Sequence, residues 1–428
     1  MPEPPPDPAP QDPAAGRPVV EAEPDDLTPA ERGAHEEGAA PTAGAIVTGG
    51  AADWRQALLV PALAFVAALA VGAIVIAFTN TEVLREWASF FRDPVGALRA
   101  SWQIVRDAYV ALFQGSFGNV TAISETLVAT TPLIFAGLAV ALGFRAGLFN
   151  IGAEGQITMG ALLGSLVGFS YPGLPDPLHV VLIMAGAFIG GAAWGFIPGI
   201  LKARTGAHEV ITTIMLNFVA SSFALWALTT ELYRRPGRED PISVPVSAAF
   251  PHLFGSGQRV TIGLLVALGA AAAVAWLVNR TTVGFEFKAV GANPFAARAA
   301  GMSPARTIVF VMSLAGGLAG LAGADLLLGI QPSMTPGFSS GLGFDAIALA
   351  LLGRARPAGV VLAALLFGAL RSGARAMQAA AGTPVDIVMV IQALVIAFVA
   401  APALVRAIFR IRARRVAGPE AFTKGWGG

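Results

Sequence analysis

The chain contains no cysteine, which excludes a disulfide framework and any thiolate metal site. Its four histidines, His35, His179, His208 and His252, are scattered, and no two stand at ligand spacing. Charge is scarce as well: Asp, Glu, Lys and Arg make up 13% of the 428 residues, while 55% are hydrophobic. A soluble chain carries about a quarter charged residues to cover its surface, so this composition points to a membrane protein. No Gly-x-x-x-x-Gly-Lys-[Ser/Thr] loop is present to cradle ATP phosphates. No Gly-x-Ser-x-Gly, His-Glu-x-x-His or Ser/His/Asp arrangement recommends a hydrolase. No basic domain interleaved with aromatic residues suggests nucleic acid as a partner. The opening "MPEPPPDPAPQDPAAGRPVVEAEPDD" is acidic and proline-rich, the opposite of a secretory signal.

What the chain does have is a series of apolar stretches. About 20 apolar residues cross the hydrocarbon core as a helix. Residues 56–78, 122–144, 149–169, 178–201, 210–230, 260–278, 307–330 and 384–409 meet that need. Residues 341–372 are apolar but interrupted by "GRARPAG", and read as two shorter helices around a basic turn. The expectation is an all-α polytopic membrane protein with about ten transmembrane helices, some of them broken or re-entrant. It comprises an acidic disordered tail over residues 1–53, a membrane domain over residues 54–411 and a short tail over residues 412–428.

An even number of spans puts both termini on one side. Lys202 with Arg204, the loop holding Arg280, Lys288, Arg298 and Arg306, the pair Arg354 and Arg356, and the basic C-terminus then share one face. The excess of Lys and Arg assigns that face to the cytosol. "YRRPGRED" at residues 233–240 fits less well, because it would be external. Residues 81–118 are mixed in character and read as an external amphipathic stretch along the membrane. Small residues recur in "GAFIGGAAWG" and "SLAGGLAGLAGA", and they let helix backbones approach closely where no hydrophobic drive acts between helices.

Three constellations are candidates for function. In "GLFNIGAEGQITMGA", Asn150, Glu154 and Gln156 sit at the mouth of an apolar segment. A carboxylate there must face protein or water, so it belongs either to a hydrogen-bond cluster that pins two helices or to a path for polar solute. In the basic loop, Asn293 reads as an N-cap, Pro294 as the first helical residue and Gly301 as the stop. Ala296, Ala297 and Arg298 lie within this short helix, whose smooth surface suits a groove on a partner. In "GFSSGLGFDAIALALL", Asp345 stands beside Phe344 at a helix entry, either to favour the helix dipole or to line an external vestibule with Gln331. Asn217 and Thr213 share a helix with Glu209, and Asp325, Gln378, Asp386 and Gln392 also lie in or near apolar segments as packed polar residues.

These stretches, with "HEVITTIMLNF", "VGFEFKAVGANPFAARAAGM" and "GFDAIALALLG", resemble in order the ABC-transporter permeases of the branched-chain amino acid and simple-sugar class, and among them the nucleoside-type permeases. The resemblance covers residues 122–409 and implies a type II importer-like permease in a bacterial cell membrane, multi-pass, with both termini cytosolic. It implies no catalytic residue and no cofactor on this chain, ATP being used by a cytosolic ABC ATPase. A second related permease, an external solute-binding lipoprotein and a small-molecule substrate complete the expected assembly. The stretch with Lys288, Gly291, Asn293, Pro294, Ala296, Ala297, Arg298 and Gly301 becomes the ATPase coupling helix. Asn150, Glu154, Gln156, Asn217, Phe344 and Asp345 are the expected lining of a path that joins polar groups to aromatic faces, as a nucleoside requires. A simple-sugar permease remains open, as does an ion-coupled transporter, for which broken spans with Glu154 and Asp345 would also serve.

Overall fold

The computed structural model describes residues 54–255, 257–401, 405 and 408–409. The tails expected over residues 1–53 and 412–428 lie outside them. The described chain is helical: α1 Trp54–Thr79, α2 Thr81–Ala88, α3 Pro94–Phe117, α4 Val120–Arg145, α5 Ala153–Ser170, α6 Asp176–Thr205 and α7 Glu209–Thr229 come first. They are followed by α8 Gly263–Arg280, α9 Thr282–Ala292, α10 Pro294–Ala299, α11 Pro304–Asp325, α12 Leu342–Leu352, α13 Pro357–Ala381 and α14 Asp386–Ala400. One π-helical turn, Leu326–Ile330, continues α11. Among the described residues there are no strands, only two isolated bridges in the long connection between α7 and α8.

Seven helices are long and apolar enough to cross a membrane, α1, α4, α6, α7, α8, α11 with its π turn, and α13. The expected ten are therefore not all matched by full spans, and the reasons are local. The segment read as a span from residue 149 starts as a helix only at Ala153, and its first turn carries Glu154 and Gln156. α12 has 11 residues, so it rises about 16 Å, half of a hydrocarbon core of about 30 Å. The basic turn after it is present, with Arg354 and Ala355 at positive φ, but α13 beyond the turn is a full 25-residue helix rather than a short one.

The middle of the bundle is held by backbone contact. A Cβ placed on Gly191 of α6 would strike the carbonyl oxygen of Gly316 on α11, and one on Gly316 would strike the carbonyl of Gly191. The same holds for Gly195 against Met312 and for Gly320 against Ala187, and Gly160 of α5 meets Gly320 at the same crossing. These pairs run in opposite order along α6 and α11, so the two helices are antiparallel. Such contact gives the closest van der Waals approach two helices can make, which is the drive for association available in lipid.

The stretch expected to lie along the membrane forms two helices. Asp93 caps α3, accepting from the backbone N–H of Gly96 at 2.9 Å. The C-terminal half of α3 is buried against α13: Ser116 donates to the Ala369 carbonyl at 2.6 Å and Ser372 donates to that of Gly115 at 3.1 Å. Its charges, Arg99, Arg106 and Asp107, precede this buried end and give the segment its mixed character in sequence.

Two ends of the bundle can be told apart. One, the basic end, carries the close of α4 with Arg145, the close of α6 with Lys202 and Arg204, the close of α8 with Arg280, the helices α9 and α10, and the turn with Arg354 and Arg356. At the opposite end, the Arg-rich connection after α7 is partly neutralised within itself. Arg238 donates twice to Asp240, at 2.8 and 2.9 Å, and that hydrogen bonding holds the Asp240 carboxyl below its usual range.

Replacing Gly191 by leucine forces α6 and α11 apart. The expected result is a loss of about 1–3 kcal/mol, typical of overpacking, read as a lower midpoint in detergent thermal unfolding. A variant that melts with the wild type would show that the crossing tolerates a side chain.

Candidate functional site

The chain leaves α4 at Arg145, whose Nε donates to the Ala355 carbonyl at 2.8 Å, and turns at Gly147 with φ +68°. That turn rests on α9: a Cβ on Gly147 would lie 2.9 Å from the Gly291 carbonyl oxygen, and one on Gly291 would lie 2.6 Å from the Ala146 carbonyl carbon. From there residues 148–152 run without helix back into the bundle. Irregular backbone at membrane depth needs its polar groups satisfied by protein, and the three expected amides do this. Buried Asn150 accepts from Gly152 N–H at 2.9 Å and donates to Gln156 Oε1 at 3.0 Å. Asn217, eight residues into α7, accepts from Gly155 N–H at 2.9 Å and donates to the Ile151 carbonyl at 3.0 Å. Asn150, Gln156 and Asn217 thus form one buried cluster around the broken start of α5.

Glu154 points to the other side. Its carboxylate accepts from Ser339 Oγ at 2.5 Å, Gly341 N–H at 3.0 Å and Gly343 N–H at 2.7 Å. It therefore caps α12 from a different helix. Gly341, at φ +78°, has the left-handed backbone that starts α12, and Gly343 lies so close to Glu154 N that no Cβ fits between them. Two helix N-termini consequently meet at one carboxylate, roughly halfway through the bundle. The carboxyl group thereby satisfies two backbone N–H groups at the start of α12 that have no partner within that helix.

Asp345 and Phe344 follow on the exposed face of α12. Asp345 pairs with Arg371 of α13 at 2.5 Å, with side chains 26% and 32% accessible, and Phe344 is 52% exposed. One turn further along α13, Arg375 reaches Glu125 of α4 at 3.2 Å, and Arg259 reaches the same carboxylate at 3.1 Å. The sequence reading brought forward Asp345 but missed Arg371 and Ser339. The available signal for Arg371 was an arginine four residues from Arg375 within an otherwise apolar helix. Asp325 is buried beside Gly263 at the start of α8, and its Oδ1 has no hydrogen-bond partner among the described residues.

At the basic end, Asn293 caps α10 as expected, accepting from Phe295 N–H at 2.9 Å and Ala296 N–H at 3.0 Å. Gly301 closes it at φ +85°, with Met302 N–H donating to the Ala297 carbonyl and Gly301 N–H to that of Arg298, the paired bonds of a glycine stop. Ala297 is buried; Pro294, Ala296, Arg298 and Gly301 are exposed. Lys288 and Gly291 are not in a loop but in α9, which is capped by Thr281, whose side chain accepts from Gly284 N–H at 3.1 Å. The residue overlooked in this segment is Phe295, 81% exposed at the tip of α10. Among the described residues, no His, Asp and Glu side chains converge as a metal ion would require.

Comparison with known proteins adds to this geometry. A family model described as "Branched-chain amino acid transport system / permease component" matches residues 122–400. The guanosine ABC transporter permease protein NupP of Bacillus subtilis is 39% identical over 82% of this chain and 94% of its own. The glucose ABC transporter permease protein TsgB13 of Haloferax volcanii is 38% identical over 79% and 86%. The nucleoside ABC transporter permease protein NupB of Lactococcus lactis is 36% identical over 74% and 89%. No solved structure matches.

Glu154→Gln keeps the shape but sets an amide N–H₂ against one of the three donors. The expected cost is about 1–3 kcal/mol, measured as a fall in thermal midpoint; an unchanged midpoint would mean that α12 needs no such cap. For Asp345 and Arg371, alanine at either position strands a partly buried charge, so the double variant should be less destabilised than the sum of the singles. Strict additivity in that cycle would show that the pair contributes nothing.

Proposed function

Because the chain belongs to the family of branched-chain amino acid transport system permease components, we propose that it forms the membrane-spanning gate of an ATP-driven importer for nucleosides. The observation that carries this reading is the extent of identity to permeases of guanosine and nucleosides, 39% and 36%, over most of both chains. The 38% identity to a glucose permease favours a simple sugar as the second reading.

In this reading the basic end faces the cytosol, and both termini lie there. A cytosolic ABC ATPase docks on α10, with Phe295 as the buried aromatic anchor of that contact and Arg298 beside it. A second, related permease and an external solute-binding lipoprotein complete the assembly. The path runs along the face bearing Phe344, Asp345 and Arg371. An ion pair that is a quarter to a third accessible is costly against lipid, so this face is covered by water or by protein. Phe344 supplies a flat apolar surface for a base, and Asp345 and Arg371 supply hydrogen-bonding groups for the sugar hydroxyls. Asn150, Gln156 and Asn217, whose bonds are taken up by the chain itself, hold the broken segment in place, and Glu154 holds α12.

Mechanical contact runs from α10 to this face. α10 is joined to α9 through Asn293, Gly291 of α9 lies on Gly147, and the segment after Gly147 leads to Glu154 and so to the start of α12. A push on α10 by the closing ATPase reaches α12 through backbone-to-backbone contacts. Gly291 on Gly147 and Gly343 on Glu154 are backbone contacts, and the Glu154 carboxylate adds the remaining link to the start of α12.

Phe295→Ser should leave insertion and thermal stability intact while reducing ATP-driven uptake about ten-fold or more, as removal of a central aromatic anchor does. Normal uptake in that variant would remove α10 as the docking element. For cargo, uptake of labelled guanosine, uridine and glucose into vesicles holding the assembled system discriminates the readings. Accumulation of glucose without either nucleoside would overturn the first in favour of the second.

A further inference from the structure

The glycine crossing of α6 and α11 ends at Gly199, whose neighbour on α11 is Val309. Beyond it, toward the basic end, the helices part. Between the close of α6 and the opening of α11 lies a groove of about 380 Å³. Arg204 and Arg306 stand at its mouth, and Ile200, Val309, Phe310 and Ser313 form its walls. Both arginines are exposed, and among the described residues neither forms an ion pair with a carboxylate. The nearby Lys202 is engaged by Glu209 at 2.5 Å.

We propose that this groove binds an anionic glycerophospholipid of the leaflet at the basic end, its phosphate held by Arg204 and Arg306 and its first acyl carbons laid along Val309 and Phe310. Charge and depth together select this occupant. Two guanidiniums at the surface end of two spans match a phosphodiester, which they can hold with planar forks of donors. The apolar wall then descends along α11 from Arg306 to Ser313, seven residues or about 10 Å of helix. An acidic segment of a soluble partner could reach the arginines but not that wall, which lies within the span. Phe310, 50% exposed, gives the chain an aromatic face to rest on. The groove residues Ala305 and Arg306 lie in the first turn of α11, which follows α10 after four residues of chain.

The test uses the full-length protein in neutral detergent, incubated with phosphatidylglycerol or with phosphatidylcholine of identical acyl chains, and native mass spectrometry to count retained lipid. The wild type should retain the anionic lipid about ten-fold more than the zwitterionic one. Arg204→Gln/Arg306→Gln should remove that preference, whereas Arg280→Gln, basic and at the same end but outside the groove, should keep it. Ala305→Trp, at an exposed position in the wall, blocks the groove without altering charge and should also abolish retention. Thermal unfolding confirms that each variant is folded. Equal loss with Arg280→Gln, or a preference surviving in Ala305→Trp, would mean that lipid is attracted by general charge, and the site would be refuted. Displacement of the lipid by glycerol 3-phosphate alone at comparable concentration would reassign it as a site for soluble anions.

Discussion

The middle of this bundle is set by a crossing at which two helices touch through their backbones. Gly191 against Gly316, with Gly195 and Gly320 flanking them, leaves no room for even a methyl group. In water, apolar side chains would supply such association. In lipid they gain nothing by leaving one hydrocarbon for another, and close backbone packing takes over. α5 joins the same crossing through Gly160. The three helices α5, α6 and α11 therefore form a fixed frame, and the start of α5, with all that hangs on it, inherits its position from that frame.

What hangs on it is a carboxylate with an unusual task. Glu154 belongs to α5 yet satisfies the backbone donors of α12. Helix ends in a membrane leave several N–H groups without partners, and here one side chain from the rigid frame answers for another element. The amide cluster of Asn150, Gln156 and Asn217 does the same for the unwound segment that precedes it. Polar residues that look like a lining in the sequence thus divide into those that hold backbone and one, Asp345, that pairs with Arg371 and remains partly accessible on the face of the bundle.

That division marks how far the sequence could be read. The helical class, the broken start near Asn150 and the short helix from Asn293 to Gly301 were legible, because hydrophobic length, glycine and asparagine chemistry and capping rules act locally. The segments with Lys202 and Arg204, Arg280 and Lys288, and Arg354 and Arg356 also came together at one end. α3 was not legible as a packed helix, since its burial depends on Ser372 and Gly373 more than 250 residues away. Nor was α13's length, because Arg371 and Arg375 interrupt the apolar pattern and their partners, Asp345 and Glu125, come from other helices. Phe295 was passed over because small neighbours suggested a smooth surface, whereas its exposure follows from how α10 is seated on Ala297.

The meeting of two helix N-termini at Glu154 has an electrostatic corollary. Helix starts facing the middle of a membrane ordinarily create a positive spot that draws anions. Here that spot is filled from within, by the carboxyl group of Glu154. The donors of Gly341 and Gly343 are spent within the chain, so this helix start is satisfied by its own neighbour and not by a ligand.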